Sequence, residues 1–185
     1  MSSFRILKEL RLSGGQYGFL MLYTLALALV VVAIHETAHI LSAMVLGVRF
    51  IELQPGFLGT NPSVTLPEWF TGTRRTIVYY VGGLTVGMAL LLFYLCYWMR
   101  KYHRNPNFFN WLLGLVTLIF AAVQFAFGYL EGSYHGAYIV GAMSFLSLTD
   151  VLAYGWAVSA VFFHSALCPL RKIKAPVKST VRTPK

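Results

Sequence analysis

Apolar residues are grouped along the chain into four long runs, separated by short segments that hold most of the charged residues, glycines and prolines. The runs cover 17–48, 76–99, 108–130 and 137–167. At ~1.5 Å per residue, each run is long enough as a helix to cross the ~30 Å hydrocarbon core of a bilayer. The pattern therefore predicts an all-α integral membrane bundle of about four transmembrane helices.

Composition supports this prediction. Hydrophobic residues make up 57% of the 185 positions and charged residues 11%, with a mean hydropathy of +0.65. A soluble domain carries about 25% charged residues, so a soluble enzyme, a disordered chain and a DNA-binding domain are all disfavoured. The net charge of +9 does not indicate nucleic acid, because the basic residues flank apolar runs, where they meet anionic lipid head groups. The predicted environment is the lipid bilayer.

The chain divides into a polar N-terminal segment (1–16), a single transmembrane domain (17–170) and a basic C-terminal tail (171–185). Glycine and proline interrupt the loop 49–75 too often for a helix, and its first residues are compatible with a short strand. The side that holds both termini and the turn 100–107 carries 12 Lys and Arg, against 3 in loop 49–75. The positive-inside rule then predicts a multi-pass protein with cytoplasmic termini.

Two breaks in the second half of the chain bear on the site. A Gly-rich break is predicted from Glu131 to Gly136, and Asp150 interrupts the fourth run. That run is either one long helix or a re-entrant piece followed by a helix that begins near Thr149, a suitable N-cap.

The segment with the clearest chemistry is His35-Glu36-Thr37-Ala38-His39, an HExxH motif inside the first apolar run. Histidines four positions apart project from the same face of a helix, where both imidazoles can bind one Zn²⁺. Glu36 lies beside them and is suited to take a proton from a zinc-bound water. Ionisable side chains inside an apolar helix are costly and are normally functional.

A catalytic zinc site usually has three protein ligands and one open position. Asp150 is the only aspartate in the chain, and a carboxylate in an apolar run needs a metal, a proton or a partner. A helix N-cap is the alternative role for Asp150. Glu131 and His135 are rival ligands, although their place in the predicted break favours an ordinary loop role for each.

An HExxH motif in a transmembrane helix, followed by a distant intramembrane aspartate, resembles the site-2 protease family of intramembrane zinc metalloproteases. The resemblance implies that His35, His39 and Asp150 bind Zn²⁺ and that Glu36 activates water. Loop 49–75 is similar in placement to the membrane-associated β-hairpin of that family. Asp150 is followed by Val151, where the family often has glycine, so the resemblance is to a divergent, minimal member.

These observations predict a zinc metalloendopeptidase that hydrolyses peptide bonds of a transmembrane protein substrate. Two alternatives stay open. One is a non-catalytic zinc-binding membrane protein (a pseudoprotease), and the other is a small metal or proton transporter in which the same side chains form a path. The sequence specifies no oligomeric state.

Small residues spaced by four positions predict where helices approach one another. Gly83 and Gly87 form one such pair and Gly128 and Gly132 another, a spacing typical of close helix packing in membranes. Gln124 lies in the middle of the third run, where it can either bind a ligand or substrate or join two helices.

Overall fold

Apolar helices form most of the chain in the computed structural model, which describes residues 12–49, 51–54, 63–134, 148–170 and 173. In chain order the elements are α1 (Gly14–Val45), β1 (Glu52–Gln54), β2 (Ser63–Thr65), α2 (Gly72–Phe93), a π-helical turn (Tyr94–Trp98), α3 (Met99–Arg104), α4 (Phe108–Tyr134) and α5 (Leu148–Leu167). The predicted polar segment as far as residue 11 and nearly all of the basic tail lie outside the described residues.

The predicted membrane helical bundle is confirmed. Within the described residues, three helical segments are long and apolar enough to cross a membrane: α1, the continuous stretch from α2 through α3, and α4. The fourth helix, α5, has 20 residues and is therefore about 30 Å long. Residues 135–147 lie outside the described part, so both predictions for the last run, one long helix or a re-entrant piece followed by a helix, stay predictions.

The ends of α1 follow from local hydrogen bonding. Ser13 caps its N-terminus: its hydroxyl accepts from the Gln16 backbone N–H, and the Gln16 side chain accepts from the Ser13 N–H. This capping box starts the helix three residues earlier than predicted. Beyond the last turn, Gly47 has φ of 99°, a left-handed conformation that ends helices and favours glycine.

The prediction of a turn at 100–107 is wrong at the three basic residues of that segment, which are helical. Arg100, Lys101 and Arg104 lie on α3, which continues the α2 helix through the π-helical turn. The Lys101 ammonium lies 4.9 Å from the centre of the Trp98 ring. The helical backbone is unbroken through the π-helical turn, and this cation–π contact stabilises its charged end. The helix therefore extends beyond the end of the apolar run.

The prediction of a break after the third apolar run is also wrong over residues 131–134, the part of that segment that the structure describes. Helix α4 continues through Glu131 and Gly132 to Tyr134, so Glu131 is a helical residue and not a loop residue. Gly132 does not end the helix, because its missing side chain makes room for the ring of Tyr80 from α2.

Helices α2 and α4 approach each other at the predicted glycine pairs. A Cβ atom on Gly83 would overlap the backbone of Gly128 and Gln124, and one on Gly128 would lie 2.8 Å from the backbone nitrogen of Leu84. The ring of Phe125 fills the space beside Gly87. The prediction that these glycines serve close helix packing is confirmed.

The predicted β-hairpin in loop 49–75 is present as two short antiparallel strands. Leu53 pairs with Val64, flanked by the pairs Glu52–Thr65 and Gln54–Ser63. The chain on either side of the strands packs onto the bundle, where a buried cluster joins α1 to α2: Ala43, Val48, Leu66, Phe70 and Val78. This cluster fixes the hairpin-side end of α1 against the first turns of α2.

Helix α4 lies at the centre of the bundle. In its most apolar 18-residue window 56% of residues are buried, against 6% in α1. Helix α5 packs on α4, where the Trp111 indole N–H donates to the Cys168 carbonyl at 2.8 Å. Buried His164 also lies 2.8 Å from the Tyr94 hydroxyl. The central α4 therefore holds α2 on one side and α5 on another.

The glycine contact predicts different effects for two matched alanine substitutions. We expect Gly83→Ala to lower the unfolding temperature in detergent, because the new Cβ pushes apart the backbones of α2 and α4. Gly155→Ala on α5, where no atom lies within 4 Å, is expected to leave it unchanged or raise it, since alanine favours helix over glycine. Equal unfolding temperatures for the two variants would contradict the role given to Gly83.

Candidate metal centre

The two motif histidines lie one turn apart on the face of α1 that packs against α2. Each is 7% exposed. Their ring centres are 4.7 Å apart and the ring planes are inclined by 72°. Both rings are therefore held inside the bundle with their edges directed toward a common point.

His39 is oriented by the backbone of α2. Its Nδ1 lies 2.7 Å from the carbonyl oxygen of Val78, which can only accept a hydrogen bond. Nδ1 therefore carries the hydrogen, and in the neutral imidazole Nε2 keeps its lone pair. Val78 belongs to the buried cluster under the hairpin, so the fold of the loop also orients this ring.

His35 is oriented by the side chain of Gln124 on α4. Its Nδ1 lies 2.8 Å from the amide oxygen Oε1, so Nδ1–H donates and, in the neutral imidazole, Nε2 again keeps its lone pair. The prediction that Gln124 joins two helices is confirmed, since it links α4 to α1. The two imidazoles thus share one tautomer, with both Nε2 atoms facing inward.

The third group at this point is the carboxylate of Glu131. Its two oxygens each lie 3.1 Å from His35 Nε2, and Oε2 lies 3.4 Å from His39 Nε2. The side chain is 18% exposed, and the three ligand atoms lie within 4.8 Å of one another. Donors at zinc distances of ~2.0–2.2 Å in a tetrahedron are ~3.3–3.6 Å apart, which is close to the His–Glu131 separations, so the three groups could hold a metal ion.

Gly82 on α2 makes room for this arrangement. A Cβ atom there would overlap the His39 ring and lie 2.9 Å from His35 Nε2. Any side chain at position 82 therefore occupies the space where the two Nε2 atoms converge.

Glu36 is half-buried and follows His35 directly on α1. No described residue hydrogen-bonds its carboxylate, which leaves the carboxylate oxygens available for an incoming molecule. The role of Glu36 as a general base stays a prediction.

The other predicted ligands cannot be compared in the same way. Asp150 lies in the first turn of α5, but its side chain is outside the described part of the structure, as is the whole of His135. Asp150 as a ligand stays a prediction. Among the residues that the structure describes, one metal-binding group of this kind is found, and it contains Glu131.

A sequence signal for Glu131 existed. Gln124, Gly128 and Glu131 are spaced by four and three positions, which places them on one face of a single helix. The spacing carries the helical pattern through the predicted break, and the glycine between two polar residues marks a close approach to another helix. Composition alone, with glycine and polar residues together, favours a loop at the same place.

Comparisons of the chain with known protein families, curated proteins and solved structures find no match in any of the three.

The space at Gly82 gives a prediction for the metal centre. We expect Gly82→Ala to abolish tight binding of divalent metal, because the methyl group displaces both imidazoles. Metal content after purification in detergent measures this. Gly155→Ala serves as the control, and its metal content should equal that of the wild type. A Gly82→Ala variant that keeps its metal would contradict the convergence of the two rings at this point.

Proposed function

We propose that this protein is an intramembrane zinc metalloendopeptidase that hydrolyses peptide bonds of a transmembrane protein substrate. In this proposal His35, His39 and Glu131 hold the zinc and Glu36 is the general base. The observation that carries the proposal is the convergence of two Nε2 lone pairs and one carboxylate inside a helical membrane bundle.

The hydrogen bonds of the imidazoles are those expected of metal-ligating histidines. Each Nδ1–H is already donated, to Val78 in one ring and to Gln124 in the other. In their neutral forms the two rings direct lone pairs at the negative carboxylate of Glu131, which is repulsive unless a proton or a metal cation lies between them. A divalent metal ion satisfies all three groups together. Two imidazoles and one carboxylate are also a known ligand set of catalytic zinc sites.

Glu131 is proposed as the third ligand because its oxygens already lie at the distances that shared coordination requires. Asp150 remains the ligand implied by the resemblance to site-2 proteases. The two proposals differ in a measurable way, since they name residues on different helices, α4 and α5.

The proposed reaction assigns separate roles to the metal, to Glu36 and to the hairpin. When bound, zinc acts as a Lewis acid for the scissile carbonyl and lowers the pKa of its bound water. Glu36 accepts the proton of that water and passes it to the leaving amine. A substrate helix must unwind first, because its carbonyls are occupied by its own hydrogen bonds. The β1–β2 hairpin offers a strand edge with which an extended segment can pair.

The ligand set is tested by the zinc content of the purified protein. We expect about one zinc per chain in the wild type, as for one three-ligand site. Zinc should be lost in both His39→Ala and Glu131→Gln, because each removes a donor, and it should be kept in Asp150→Asn. Retention in Glu131→Gln with loss in Asp150→Asn would assign the third ligand to Asp150. A wild type without zinc after resupply would overturn the metal centre.

The catalytic role is tested with Glu36→Gln in liposomes that contain a set of single-pass transmembrane peptides, with mass spectrometry of the products. We expect zinc to stay bound and cleavage to fall by ~10²–10⁴-fold, the usual contribution of a general base. Substantial cleavage by Glu36→Gln would contradict the mechanism. A zinc-loaded wild type that cleaves no peptide would favour the non-catalytic zinc-binding protein instead.

A further inference from the structure

We infer that Gln124 is a positioning residue of the proposed metal centre: its amide oxygen holds His35 in the one tautomer that can bind the metal through Nε2. The inference depends on the proposed function only through the metal site. A residue of α4 would thus orient a metal ligand of α1, since Gln124 and His35 are 89 positions apart in the sequence.

The contact is short and protected from competing partners. The Nδ1 to Oε1 distance is 2.8 Å, and both residues are 7% exposed. A buried imidazole that loses its acceptor leaves an unsatisfied N–H, or it moves the hydrogen to Nε2 and loses the lone pair aimed at the metal. Partners that bind the outer nitrogen of a metal-ligating histidine are known to govern metal affinity.

Helix α4 contacts both nitrogens of the same ring. Gln124 lies at Nδ1 and Glu131 at Nε2, and the two residues are seven positions apart, on one face of the helix. Gly128 lies between them and contacts α2. Rotation of His35 away from either partner breaks the contact with the other, so the ring has one orientation.

An amide at this position also suits the charge of the site. A divalent cation with the carboxylates of Glu131 and Glu36 is neutral overall. A carboxylate at position 124 would orient the ring equally well but would add a negative charge inside the membrane, where charge is costly. The amide supplies the acceptor without the charge.

The inference is tested by the metal affinity of the full-length protein in detergent, measured for Zn²⁺ by chelator competition and for Co²⁺ by its absorption spectrum. We expect Gln124→Leu, which keeps the volume and removes the acceptor, to weaken Zn²⁺ binding by ~10–100-fold and to change the Co²⁺ spectrum. Gln124→Glu restores an acceptor, and its affinity should return to within a few-fold of the wild type.

Thr117→Val is the matched control. Thr117 lies on the same helix, is fully buried and makes a hydrogen bond from α4 to α1 away from the site, 2.6 Å from the Tyr23 hydroxyl. Its loss should lower the unfolding temperature of the metal-free protein as Gln124→Leu does, with metal affinity unchanged.

Three results would overturn the inference while the wild type binds metal. These are unchanged affinity in Gln124→Leu, equal loss of affinity in Thr117→Val, and no recovery in Gln124→Glu. A wild type that binds no metal removes the proposed function itself, and the inference with it.

Discussion

The contact between the backbones of α2 and α4 at Gly83 and Gly128 determines where every polar group of the site can be. It brings α4 close enough for Gln124 and Glu131 to reach the first helix past α2. On α2 itself, Gly82 is the neighbour of Gly83 and leaves the space in which both imidazoles lie. In a membrane, where apolar surfaces gain little by leaving lipid, such packing together with interhelical hydrogen bonds is what holds helices together. The glycines therefore serve the site and the fold with the same contact.

Features that depend on local spacing could be predicted from the sequence. The HETAH motif and the glycine pairs each need only the geometry of one helix, and the structure has them where the spacing predicts; the apolar runs predict the helices but not all of their ends. Glu131 could not be placed in the same way. From the sequence, the neighbouring Gly132 favours a break in the helix. In the fold, the Tyr80 ring occupies the space that a side chain at position 132 would fill. Only the tertiary contact shows that this glycine serves packing and lets the helix continue to Tyr134.

Charge explains why these polar residues occur together. An isolated ionised side chain in hydrocarbon is costly, and His35, His39 and Glu131 avoid that cost only as a group. If Glu131 and Glu36 are both ionised and both rings are neutral, these four groups carry two negative charges. A divalent cation brings that total to zero, as protonation of both rings also does. Of these two neutral states, the metal-bound one uses the Nε2 lone pairs that the hydrogen bonds at Nδ1 direct inward.

The helix that carries the motif is less buried than α2 or α4. Few residues of α1 are buried, and its cross-helix side-chain hydrogen bonds lie at two levels. One is at Tyr23, which bonds Thr117 and accepts from the Trp98 indole. The other is at His35 and His39. A metal bound by residues of α1 and α4 together joins the two helices, so the free energy of metal binding also becomes free energy of helix association. With metal bound as proposed, the motif would serve assembly as well as chemistry, which gives a physical reason for its position on a helix with so few buried residues.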